Sequence, residues 1–153
     1  MSYVLALLIG VVAGSRAMMA PAAVSWAAWL GRLHLGGSWL EFLSSPWACG
    51  IFTVLALVEL VTDQLPTTPS RTVPVQFGAR LVTGGFSGSA IGAGHGLQLP
   101  GLLAGLVGAA IGTFGGRALR GWLARAFGND HSAAFVEDAI ALAGAVVVVG
   151  AMR

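Results

Sequence analysis

Between Gly78 and Gly96 the sequence GARLVTGGFSGSAIGAGHG carries glycine at every fourth residue, at Gly84, Gly88, Gly92 and Gly96. Four residues is slightly more than one helical turn, so these positions make a bare ridge on one helix face, with Arg80 one step nearer its start. Each glycine costs a helix interior about 1 kcal/mol relative to alanine, so something outside the segment must hold it helical. A bilayer does this. Backbone polar groups there must pair within the segment, and a glycine ridge lets a second helix approach closely.

The remainder of the chain agrees with that solvent. Of 153 residues, 56% are hydrophobic and 9% charged, against roughly 25% charged in an ordinary soluble domain. Residues 1–153 therefore read as one integral membrane domain. All eight basic residues are arginine, which excludes mechanisms that need a lysine Schiff base or a phosphate-loop lysine. A net charge of +2, with no basic patch among exposed aromatics, argues against a nucleic-acid partner. Cys49 has no second thiol, and His34, His95 and His131 lie in separate turns without ligand spacing, so no metal or other cofactor is expected. No nucleophile, base and metal constellation can be assembled, so the chain is not expected to be an enzyme.

Apolar runs and prolines divide the chain into spans of about 3–30, 47–65, 75–96, 100–125 and 134–152. The fold class is all-α, a polytopic transmembrane bundle of five glycine-rich spans, or six if the first run folds back on itself. That first span should be broken near Arg16–Pro21, because Pro21 has no amide to bond Ala17 one turn back. The segment Gly31–Phe42 suits a headgroup-level loop. Helix packing is assigned to Gly84, Gly88 and Gly92 of the third span and to Gly105, Gly108 and Gly112 of the fourth. GSR at Gly14–Arg16 and GAR at Gly78–Arg80 suggest a weak internal repeat, as found in small transporters. Arg71, Arg117, Arg120 and Arg125 fall on one side, which places them and the amino terminus in the cytoplasm. The expected location is the bacterial inner membrane, multi-pass.

Depth organises the charges. At about 1.5 Å per residue, Glu59 and Arg80 lie at matching depth on adjacent spans, which predicts a pair between Arg80 and Glu59 or Asp63. Arg16 is the deepest charge, about 20 Å from the inner face, with Glu137, Glu59 or a bound anion as its partner. Asp63, in the last turn of its helix, faces the negative end of the dipole and needs compensation, whereas Glu137 and Asp138 stand in the favourable first turn of theirs. Intramembrane ionisable groups are functional candidates by default, so Arg16, Glu59, Asp63, Arg80, Glu137 and Asp138 form the candidate solute or ion path.

The stretches GVVAGSRAMMAP, ELVTDQLP and VEDAIALAG together resemble a bacterial family of small integral membrane proteins that carry a domain of unknown function. The resemblance implies a membrane fold over nearly the whole chain and no particular reaction. Two functional expectations follow from the charges. The first is a small transporter or channel with a cytoplasm-side cavity lined by arginine and carboxylates, working with membrane lipids, a small solute or ion and a second copy as a dimer. The second is a non-catalytic packing or assembly protein whose ion pairs are structural.

Overall fold

The computed structural model describes residues 2–65, 70 and 72–152, and among these the chain is all-helical with no strand. Six α-helices follow in order: α1 (Ser2–Ser15), α2 (Met19–Trp29), α3 (Pro46–Thr62), α4 (Pro74–Ala93), α5 (Gln98–Phe127) and α6 (Asp130–Ala151), with a 3-10 helix at Trp39–Ser44 before α3. The span-ending Pro66 and Pro69, and Arg71 and Arg153, lie outside the described residues. By length and composition α5 and α6 can cross a membrane, and α1 and α3 are shorter apolar helices.

Helix ends follow local chemistry. Ser45 caps α3 by accepting from the Ala48 amide at 3.1 Å, and Pro46 occupies the first helical position, where no amide is needed. The glycine series does not run through Gly96. The α4 helix ends at Ala93, and Gly96 takes a left-handed φ of 70° in the turn to α5, so the ridge is Gly84, Gly88 and Gly92. The last helix begins earlier than the sequence indicates. Gly128, at φ 65°, ends α5, and Asn129 caps α6 through the His131 amide. Glu137 and Asp138 therefore stand in the second and third turns of α6, and the reading of them as first-turn charges is corrected.

Directions follow from pairs that advance together. Added Cβ atoms at Gly10 and Gly14 would strike the carbonyls of Gly105 and Ala109 at 2.3 and 2.4 Å, so α1 runs parallel to α5. At Gly84, Gly88 and Gly92 they would meet Gly105, Gly101 and Leu97 in turn, so α4 is antiparallel to α5. These three helices touch backbone to backbone and form the centre of the molecule. Around them, Arg16 reaches Asp138 while Val12 reaches Gly144, making α6 antiparallel to α1. Arg32, beyond α2, reaches the carbonyls of Val149 and Gly150, so α2 runs with α6.

The chain thus reverses between α1 and α2, at Arg16–Met18. Residues 3–30 are a hairpin of two helices, the folded-back alternative, in place of one kinked span. Pro21 falls in the first turn of α2, where its missing amide costs nothing. The reversal also separates Ser2 from Arg117 to opposite ends of the bundle, where a shared end was expected. The GSR and GAR segments are not equivalent: GSR ends α1, whereas α4 continues through GAR for three further turns, having no proline after it.

The outer layer is α3. It packs on α2 and the 3-10 helix, where Ser25 donates to the Leu43 carbonyl at 2.7 Å and Trp26 Nε1 to Thr53 at 3.0 Å. Trp39, Phe42 and Phe52 surround Phe86 of α4 and seat the 3-10 helix on the bundle. Between α2, α3 and α6 an apolar crevice of about 300 Å³ is left open.

Candidate functional site: a charged cluster at the helix break

The break exposes two sets of backbone groups that helix geometry leaves without partners: carbonyls at the end of α1 and amides at the start of α2. Each set meets a charged side chain. Arg80 Nη1, from the second turn of α4, donates to the carbonyls of Gly14 at 2.9 Å and Ser15 at 2.6 Å. Glu59, from the last turn of α3, accepts the amides of Ala17 and Met18 on its two oxygens at 2.7 and 2.8 Å. Both charges have the sign that the helix dipole favours at that end. Thr113 Oγ1 adds a hydrogen bond to the Gly14 carbonyl at 3.3 Å, reaching it from α5.

Arg16 occupies the break itself and is wholly buried. Its Nε donates to Asp138 Oδ1 at 2.7 Å, Nη2 contacts the same oxygen, and Nη1 contacts Asp63 Oδ2. Asp63 Oδ2 lies 3.8 Å from Arg80 Nη2, and Gln64 Nε2 donates to Asp138 Oδ2 at 3.1 Å. Sequence offers Glu137, Glu59 or a bound anion as the partner of Arg16, and the partners found are Asp63 and Asp138. The difference comes from the reversal, which brings Arg16 to the level where α3 ends and α6 begins. A straight span would have carried it elsewhere. Asp63, facing the unfavourable end of α3, is compensated by Arg16, with Arg80 beside it.

Of the six candidate site residues, five therefore converge: Arg16, Glu59, Asp63, Arg80 and Asp138. Glu137 meets Arg120. It is buried, 3.9 Å from Arg120 Nη1, and Arg120 also donates through Nε and Nη2 to Asp130 at 3.1 and 2.7 Å. Arg120, read from sequence as a topology determinant, thus ties the start of α6 to the end of α5. Gln64 and Thr113 are the residues that sequence reasoning missed. Gln64 adjoins Asp63 in TDQLP, and Thr113 follows Gly112 on the glycine face of α5, so adjacency was the only signal for either.

Within the converging set two arginines stand against three carboxylates, and Arg120, beside Glu137, adds its charge nearby. Burial is uneven: Arg16 has no exposure, whereas the side chains of Asp63 and Asp138 are 13% and 16% exposed. The carboxylates are the accessible edge of the cluster. No protein-family model, curated protein or solved structure matches the chain, so the chemistry of the site rests on its geometry.

Proposed function

We propose that this chain is a multi-pass membrane protein that moves a small solute or ion through the charged cluster at the α1–α2 break. The observation that carries the reading is a helix reversal whose two ends are held by charged side chains, Arg80 and Glu59, inside a body that exposes large apolar side chains on every helix. Irregular backbone at membrane depth is tolerated where it is buried in protein or lines a cavity, and free helix ends inside the membrane hold solutes in transporters. Helices α1 and α2, at about 21 and 16 Å, are each shorter than the roughly 30 Å bilayer core. They form a re-entrant hairpin whose tip reaches the polar end of the bundle, while α3 to α6 cross.

The arginines at the end of α5 make that end cytoplasmic by the positive-inside rule. The amino terminus, at the opposite end, is then external, the reverse of the expectation from sequence. Asp63 and Asp138 face the cytoplasmic side and receive the solute, while Arg16 and Arg80 hold the break open as fixed charges. The path needs no catalytic group.

Reconstitution tests this directly. Proteoliposomes of the purified protein should dissipate an imposed gradient of a monovalent ion or proton faster than empty liposomes, and Asp138→Asn should remove most of that rate. Absence of flux across a panel of ions would defeat the proposal. The second reading, a structural clamp, is favoured by the complete pairing of Arg16. It predicts that Arg16→Gln destabilises the fold, and that any variant which regains stability regains every cellular phenotype with it.

A further inference from the structure

The outward face of α5 changes character along its length. Leu103, Val107 and Phe114 are exposed apolar side chains, and residues three, four or seven apart share a helix face. The same row therefore continues through Arg117, Gly121 and Arg125, which are also exposed. The change falls at a definite depth. Arg117 stands about 29 Å along the helix from Gln98, where a bilayer core of roughly 30 Å ends, and the last turns of α5 pass beyond it.

The three arginines at that end differ in what they meet. Arg120 turns to α6 and is held by Asp130 and Glu137. Arg117 Nη1 donates to Thr72 Oγ1 at 3.3 Å, and Thr72 precedes α4, so this guanidinium is directed to the end of the bundle. Arg125 makes no hydrogen bond or ion pair among the described residues. Neither Arg117 nor Arg125 has a carboxylate partner among those residues, so two uncompensated positive charges share one outward face. Between them Gly121 adds no side chain, and a Cβ there would have nothing within 4 Å. The gap from Arg117 to Arg125 is about 12 Å along the helix. Trp122, 60% exposed, borders it. Trp26, Trp29, Trp39 and Trp47 belong to the later half of α2, the 3-10 helix and the start of α3, at the opposite end of the bundle.

Guanidinium groups pair bidentately with phosphate, and exposed indoles sit at headgroup level. An apolar row that ends in two free arginines, bare backbone and an indole follows the outline of one phospholipid, chains first and phosphate last. The charges favour an anionic headgroup over a zwitterionic one, whose ammonium they repel. We propose that Arg117 and Arg125 form a headgroup site for an anionic phospholipid, its phosphate over Gly121 and its acyl chains along Phe114, Val107 and Leu103. The site rests on α5 crossing the membrane and is independent of solute movement through the charged cluster.

The test is quenching of Trp122 by brominated lipid in vesicles containing the whole protein, the Trp122 signal being the difference between wild type and Trp122→Phe. The vesicles hold phosphatidylglycerol as the minor component in phosphatidylcholine, and bromine is placed on the chains of either the phosphatidylglycerol or an equal amount of the phosphatidylcholine. Phosphatidylglycerol should be preferred beside Trp122 by about thirtyfold, roughly fivefold for each arginine. Arg117→Gln combined with Arg125→Gln should abolish the preference, whereas replacing an exposed arginine at the other end, Arg32→Gln, should retain it. In the unaltered protein, about 1 M salt, where the Debye length is about 3 Å, should remove most of it. Equal quenching by the two lipids would overturn the inference and leave α5 in the membrane. A preference that survives the double substitution or the salt would overturn it too. Quenching of Trp122 by neither lipid would take the end of α5 away from the bilayer surface and defeat the membrane reading together with the headgroup site.

Discussion

Glu59 shows how one side chain can hold an interruption in a helix. Its two oxygens take the two free amides at the start of α2, a reciprocal arrangement available to a carboxylate and to no neutral side chain of the same length. Glu59→Gln keeps one acceptor and turns an NH₂ group toward the other amide, leaving a donor facing a donor. Loss of a hydrogen bond to a charged group in a buried setting costs about 2 kcal/mol. Thermal unfolding in detergent should show a clear drop in midpoint for Glu59→Gln and almost none for Glu41→Gln, whose carboxylate makes one exposed 3.3 Å contact with Gly37. Equal midpoints for Glu59→Gln and wild type would mean that the break is held elsewhere. The residue types of this site could be read from sequence, because charges in an apolar chain stand out. Their partners could not. Counting residues along a straight span places Arg16 at one depth, and a single reversal changes that depth and all its neighbours.

At the scale of elements, α5 is the helix on which the others are assembled, through glycines that fall within one sector of about 60° on its surface. Gly101 and Gly105 meet α4, while Gly108 and Gly112 meet α1. A Cβ at Gly108 would lie 2.1 Å from the Leu7 carbonyl oxygen, a backbone atom that cannot turn aside. Gly108→Ala should therefore push α1 off α5 and cost about 1–3 kcal/mol by overpacking. Gly115 has nothing within 4 Å of its added Cβ, and there alanine should stabilise by about 1 kcal/mol through helix propensity alone. Chemical unfolding of the pair in mixed micelles separates the two cases by the sign of the change; a shared sign would contradict the packing described. Glycine spacing was sufficient to mark these surfaces, since a four-residue recurrence has a single geometric meaning on a helix. It carried no information on which partner each glycine meets, because α1 and α4 both offer small residues at the same interval.

For the whole molecule, the decisive event is the turn at Arg16–Met18, and the sequence marks it ambiguously. Pro21 is compatible with a kink or with a new helix beginning at Met19, and the stabilising groups, Glu59 and Arg80, are 42 and 66 residues away from the backbone groups they bind. Local pattern cannot register contacts of that separation. The turn fixes the topology: with α1 descending and α2 ascending, six helices alternate and both Tyr3 and Val149 lie at the end opposite Arg117. A span that merely kinked would put Tyr3 at the same end as His131. Single cysteines at Tyr3 and His131 in a Cys49→Ala background distinguish these arrangements by labelling with a membrane-impermeant maleimide. From the external side of intact cells Tyr3→Cys should react and His131→Cys should not, and inside-out vesicles should give the converse. Reaction of both from one side would exclude the hairpin, and with it the convergence of Arg16, Asp63 and Asp138 on which the proposed solute path depends.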